Sequence, residues 1–353
     1  MRRRDVLRVA GSTSILGLTG CAGIFETRNA LEPPLVEDRP DAVYYPTHFE
    51  GMKMPGMKEG GGYKCALTYS YPHRFWLMKP NGITQVDIES TDSMHLMPVV
   101  WDAQTGIIPP DINPQLRITQ NGESVDQFAP WPMLSQPMGF HFGDNAQLQG
   151  DGTYTIEVSI GGPSTRRTGS LVENQGNASF RFEFEFSTSK LNEISITDIP
   201  DDRQGTKGAV DLMDMKMLPS SQVPKPEALP GDVRGTATSG DAKFVVTVLN
   251  EATRFGGNQE QVYLAVSPRT PYNRVMLPMM SLSGTLTRGG SSVFDGILQS
   301  TIDHELRFHY GATLSDVQSG DELTITVDSP PQTARHEGYE TAFVDMPSMN
   351  LTL

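Results

Sequence analysis

The sequence predicts an all-β protein built of two tandem β-sandwich domains, and three observations carry that prediction. Short runs of β-forming residues, bounded by Gly, Pro, Asn or Asp, recur at intervals of about ten residues. The segment Phe180-Arg181-Phe182-Glu183-Phe184-Glu185-Phe186 alternates strictly, placing four Phe on one face and three charges on the other. Landmarks of the first half return in the same order in the second. No segment carries the periodicity of a long amphipathic helix.

The elements follow in chain order. Residues 1–20 open with Arg2-Arg3-Arg4 and continue into a short apolar run, the pattern of an export signal; paired arginines of this kind are read by the route that exports folded proteins. The run is too short, and too rich in Gly, Ser and Thr, to span a bilayer. Leu18-Thr19-Gly20-Cys21 resembles a lipobox. Cys21 is then the lipidated N-terminus of a protein anchored to the outer face of the cytoplasmic membrane; the alternative is an unmodified Cys in a cleaved leader. Residues 21–41 read as a tether, 42–189 as the first sandwich, 190–235 as a Pro-rich linker carrying a Met-rich opening of the second repeat, and 236–353 as the second sandwich. Strand character is plain at Lys64–Tyr69, Thr153–Val158 and Leu323–Val327.

Three landmarks suggest the repeat. Met52-Lys53-Met54-Pro55 is echoed by Met215-Lys216-Met217-Leu218-Pro219, and His95-Leu96-Met97-Pro98 by Val275-Met276-Leu277-Pro278. Phe140-His141-Phe142-Gly143 is echoed by Phe308-His309-Tyr310-Gly311. If the single module works as a dimer, two fused copies make an intramolecular pseudo-dimer, packed face to face, with His141 and His309 on related but unequal sites. A homodimer is the other possibility.

Composition narrows the function. With 42 Asp and Glu against 28 Lys and Arg the net charge is -14, which argues against nucleic acid as a partner. Removing residues 1–20 takes away four Arg and one Asp and leaves the chain more acidic still. This acidity and the scarcity of Lys resemble secreted proteins of salt-loving archaea, in which hydrated carboxylates preserve solubility. No Gly-x-Ser-x-Gly elbow, phosphate loop or His-Glu-x-x-His motif is present, so the reading is a protein that is not an enzyme. His304 and His309 are five residues apart, cannot chelate one ion through regular structure, and leave His304 as a solvated residue. Asp198, Asp201 and Asp202 read as a solvated acidic loop rather than a cation site.

Methionine is the informative residue. The 17 Met include Met52, Met54, Met57, Met213, Met215 and Met217 outside any apolar run, and Met94 and Met97 flanking His95. Thioethers are soft ligands suited to copper(I), and imidazole adds affinity for copper(II) or iron; the competing role is flexible filler beneath long loops. On a strand His95 and Met97 share one face, a half-site for a metal.

The ordered set Ala42-Val43-Tyr44-Tyr45, Met54-Pro55-Gly56-Met57, Met97-Pro98, Phe140-His141-Phe142-Gly143 and Gly152-Thr153-Tyr154 resembles the periplasmic high-affinity iron-transport accessory family. The resemblance covers roughly residues 42–189 and, more faintly, 211–345. It implies immunoglobulin-like β-sandwiches, some of them lipoproteins, that bind copper or iron at a Met, His and Glu site near a dimer interface and serve an uptake system with a membrane permease. Carried over, Met54 matches the early loop Met, Met97 the Met before Pro, and His141 and His309 the His of the His-aromatic-Gly motif. His336, in Ala334-Arg335-His336, resembles the late Arg-His. The family's first strand supplies a His and a Glu two residues apart, and Lys64-Cys65-Ala66-Leu67-Thr68 supplies neither. Arg166 or Arg167 stands where the first copy would carry the late His. Either ligands come from elsewhere (His48, His95, Cys65) or the scaffold survives without its metal. The second case makes the protein a metal-free surface scaffold or adhesion protein.

Overall fold

The computed structural model describes residues 33–80, 82–173 and 176–353; the export signal, Cys21 and the first part of the tether lie outside the described residues. The alternating strand forms as its pattern demands. Within Ala178–Phe186, Phe180, Phe182, Phe184 and Phe186 are buried, while Arg181, Glu183 and Glu185 face solvent. Its sheet runs Ala178–Phe186, Gly152–Ile160, Gln115–Gln120, Glu123–Phe128. The facing sheet runs Lys53–Gly60, Tyr63–Ser70, Met94–Asp102, Gly139–Ala146, Trp131–Ser135, Ala334–Arg335, Phe75–Lys79, Gly82–Val86. The two layers share one core, and the edge-to-face pair Tyr69–Phe184, ring centres 5.1 Å apart, joins them.

The second half repeats this plan. Its strands run Asp232–Ser239, Ala242–Leu249, Val262–Arg269, Arg307–Leu314, Ser291–Asp303, Ser281–Arg288, Glu322–Ser329, Met349–Thr352. The 13-residue strand Ser291–Asp303 passes from one layer to the other. In the first half the corresponding stretch is divided into Glu123–Phe128 and Trp131–Ser135 by Ala129-Pro130, where proline has no N–H for the ladder. The chain is therefore all-β, with layered sheets in both halves. Among the described residues no helix is long and apolar enough to cross a membrane.

Register aligns the halves more sharply than composition does. His95 pairs with Asn145 and Tyr263 with Thr313, both residues lying 168 positions further on. Arg166–Arg167 runs parallel to Thr301–Ile302, and Ala334–Arg335 runs parallel to Met133–Leu134, again at an offset of 168. Each half thus gives a two-residue strand to the other. The backbone continues the exchange, because Thr168 N–H donates to Ile302 O and His336 N–H donates to Leu134 O.

Two of the three landmark echoes are therefore corrected. The strand equivalent to Met94–Asp102 is Val262–Arg269, not Val275–Pro278, which lies between strands. Met215–Met217 falls in a turn with Met217 63% exposed, whereas Met54 lies in a strand. A shared Met-Pro or Met-x-Met is too short to fix a register that hydrogen bonding fixes. The halves also interlock through exchanged strands rather than by apposed faces alone. The predicted linker is packed against both halves. Ile196–Asp198 pairs with His48–Glu50 of the first half, and Val223 N–H donates to Arg274 O of the second at 2.9 Å. Residues 334–341 leave the second sandwich to lie on the first, where Tyr44 N–H donates to Gly338 O, and the chain returns at Phe343, whose N–H donates to Gly240 O.

Candidate metal centre

Strand Met94–Asp102 is central in its sheet and every residue of it is buried. His95 therefore has to satisfy its imidazole from the protein. Asn145, its cross-strand partner, does half of that: its Oδ1 accepts the His95 Nδ1–H at 2.9 Å and the His73 N–H at 3.1 Å. Its Nδ2 donates to His73 O at 2.9 Å, which fixes the amide and hence the His95 tautomer. The His95 Nε2 carries a lone pair and has no partner. His141 repeats the arrangement, with Nδ1–H donating to Gly139 O at 3.2 Å and Nε2 unpartnered. His336 arrives from the other half, directly after the exchanged strand Ala334–Arg335, and its Nε2 is also buried without a partner.

One ring nitrogen from each of His95, His141 and His336 lies within 4.8 Å of the others. The His336 ring centre is 5.5 Å from that of His95 and 5.4 Å from that of His141. A buried polar atom left unpaired costs about 1–3 kcal/mol, so three such rings clustered together favour a shared partner. Three neutral imidazoles suit a transition-metal ion, and Met97, buried on the same strand face as His95, brings a thioether close by.

The electrostatics keep the donors neutral. Burial holds His95 and His336 well below the ordinary histidine range, reinforced by neighbouring imidazoles, and it lowers His141 to about 4. His73 packs 4.7 Å from the His95 ring and is lowered by burial against the pull of Glu50. A cavity of about 100 Å³ opens over His141 and His336 and is also lined by Met97, His48, Glu50 and His73. Burial alone would raise the Glu50 carboxyl, but His73, His48 and the Ser70 hydroxyl hold it below its usual value. Burial and the nearby Glu340 carboxylate push Glu337 up to about 7.

Gly143 shows why the Phe-His-aromatic-Gly motif ends in glycine. A Cβ there would stand 2.5 Å from His95 Nε2 and 3.3 Å from Met133 Sδ. Gly143→Ala is expected to displace the His95 ring and cost about 1–3 kcal/mol by overpacking. Denaturant unfolding checks the cost, and metal affinity should fall with it.

In the second half the equivalent space is filled by side chains from both halves. Tyr263 occupies the register position of His95, and its hydroxyl donates to His309 Nε2 at 3.0 Å. His309 Nδ1–H donates to Arg307 O at 3.0 Å, so both ring nitrogens are taken. Arg166 Nη2 donates to the Tyr263 oxygen at 2.9 Å, with Nη1 on Phe255 O and Nε on Thr301 Oγ1. Thr168 stands where His336 stands in the first half, and its hydroxyl donates to Asp303. The expectation of His309 as a metal ligand is corrected on these grounds. Tyr263→Phe, which strips partners from His309 and Arg166, is expected to lower stability by about 1–3 kcal/mol without changing metal affinity.

The other predicted ligands separate. Met54 lies against the core from strand Lys53–Gly60 and does not line the cavity, so its packing role prevails over the ligand role. Cys65 is a buried free thiol, its pKa pushed up by burial. It pairs with Val100, five residues along the strand from His95, or about 16 Å at strand rise. His48 lines the cavity and its Nε2 lies 3.5 Å from Glu50 Oε1. His304 is half exposed beside Asp303 and Glu305. Sequence reading missed His73, Glu50 and Asn145. Asn145 lies on the strand of the motif, two residues past Gly143, and Glu50 stands two residues from His48, but nothing local ties His73 to His95.

These features define an all-β protein of two interlocked sandwiches with one buried imidazole centre made by both. Residues 49–189 match the Fe2+ transport protein family, and residues 227–352 match a domain of unknown function, DUF7350. No curated protein matches the chain. Among solved structures, FetP of uropathogenic E. coli is 18% identical, with a TM-score of 0.29 over 40% of this chain and 96% of its own. A copper-bound FetP variant is 20% identical, with a TM-score of 0.29 over 38% and 97%. Copper-reconstituted P19 from Campylobacter jejuni is 20% identical, with a TM-score of 0.30 over 38% and 96%.

Proposed function

We propose that this chain is an exported metal-binding protein that holds one copper or iron ion at His95, His141 and His336, with Met97 beside them, for a metal-uptake system. The observation that carries the reading is the meeting of three imidazoles from distant parts of the chain, each with a buried Nε2 that no protein group satisfies. The match of residues 49–189 to the Fe2+ transport family supports it, since that segment contains His95 and His141. The constant offset of 168 supports reading the halves as duplicated copies packed as an internal pseudo-dimer. In this reading Cys21 carries the lipid anchor at the outer face of the cytoplasmic membrane, and a membrane permease receives the metal.

Titration of the full-length mature protein in high salt with copper(I), copper(II) and iron(II) tests the proposal. The expected result is sub-micromolar binding of one ion per chain. A folded protein that binds none of the three refutes it and leaves the metal-free scaffold, a role already suggested for the second half by its filled Tyr263–His309–Arg166 site.

A further inference from the structure

In the strand His48–Glu50 the alternation puts His48 and Glu50 on one face, and both line the cavity above the imidazole centre. Their neighbours fix what each presents to the other. The Thr47 hydroxyl gives its one hydrogen to Pro34 O at 2.9 Å, so its oxygen accepts the His48 Nδ1–H at 3.0 Å. In the neutral ring Nε2 is then a lone pair, and it faces Glu50 Oε1 at 3.5 Å. The other carboxylate oxygen, Oε2, is held separately. It accepts from the Ser70 hydroxyl, which it shares with Gly51 O, and lies 3.5 Å from His73 Nδ1. Two acceptors therefore stand opposed beside the cavity. A protonated imidazole would draw the carboxylate in to about 2.7–2.9 Å. Two donors each about 2.1 Å from one tetrahedral ion stand about 3.4 Å apart, which is the spacing found.

We propose that His48 Nε2 and Glu50 Oε1 form a second metal site, for iron(II), at the approach to the imidazole centre. The ligand pair stands on its own geometry; only its place as an approach rests on the imidazole reading above. One imidazole and one carboxylate suit a divalent transition ion and offer little to copper(I), which favours sulfur. The cavity of about 100 Å³ leaves room for water to complete the ion's shell. Two protein ligands hold an ion less tightly than three, as a site that passes its ion onward must. His73 connects the two places. Its Nδ1 faces the Glu50 carboxylate, while its ring centre is 4.7 Å from that of His95 and 5.1 Å from that of His336. The ion moves by ligand exchange, with no change of oxidation state.

The test titrates iron(II), without oxygen, into full-length mature protein and into the variants Glu50→Gln and His48→Leu, each close in volume to the residue replaced. Denaturant unfolding without metal checks that the variants fold, and either one suffices if the other does not. Wild type is expected to take up a second ion more weakly than the first. Each substitution should weaken that second step by at least about tenfold and leave the tight step unchanged. Binding in which no step responds to either substitution overturns the site. Weakening of the tight step instead would merge the pair with the imidazole centre and overturn a separate site as well. Failure of the imidazole reading looks different: wild type would lack the tight step. A weak step lost on substitution would still support the His48–Glu50 site in that event.

Discussion

Substituting His336 with Ala is expected to weaken metal binding by about 100-fold or more, although this residue lies far outside the segment that matches the iron-transport family. The reason is geometric. The first sandwich supplies His95 and His141 and leaves the third position open, and the strand Ala334–Arg335, seated between Trp131–Ser135 and Phe75–Lys79, delivers the third imidazole. His309→Ala is the matched control. It removes the residue that shares the motif of His141, yet it should leave affinity unchanged, because Tyr263 and Arg307 already occupy its nitrogens. Its cost should appear in stability instead, at about 1–3 kcal/mol for the partners it strands. Competition titration against a chromophoric chelator, paired with denaturant unfolding, separates the two effects. Equal loss of affinity in both variants would sink the assignment of one centre per chain.

Acidification from pH 7 towards pH 4 is expected to destabilise the metal-free protein strongly. His141 and His309 have folded pKa values of about 4, below the ordinary value near 6.5 that they regain on unfolding. Above pH 6.5 both states are neutral and these groups contribute nothing to the pH dependence. Between 6.5 and 4 the unfolded chain takes up protons that the folded one refuses, so stability falls, by about 3 kcal/mol for each of the two at the lower limit. His73, His95 and His336 shift in the same direction. Glu337 opposes them: raised to about 7, it gains a proton first in the folded state and so stabilises as pH falls through 7. One opposing carboxyl does not cancel five histidines. Denaturant midpoints at pH 7.5, 6 and 4.5 should fall in that order, and a flat profile would contradict neutral burial of the imidazoles. Metal affinity at the centre should fall less from pH 7.5 to 6 than that of a solvated imidazole set, because its donors have no proton to lose.

Much of the architecture is legible in the residues. The four Phe of Ala178–Phe186 declare a half-buried strand because side chains alternate at period two, and no packing detail can alter which face they share. His95 and Met97 share a face for the same reason, and that alternation marks both as candidates. His141 and His309 stand at equivalent positions because their motif sits on equivalent strands. What the motif does not distinguish is their surroundings: an Arg and a Tyr reach one, and two imidazoles reach the other.

Local sequence, then, determined the class of fold, the strand faces, the acidity and a set of candidate metal ligands that includes His95, Met97, His141 and His336. Tertiary structure alone decided which of them meet. Register set Tyr263, rather than any residue of Val275–Pro278, against His309, and the exchange of two-residue strands carried His336 and Arg166 into opposite halves. Pairing of this kind joins residues more than a hundred positions apart through backbone hydrogen bonds, which are indifferent to side-chain identity. The spacing of ligands along the chain therefore holds no record of it.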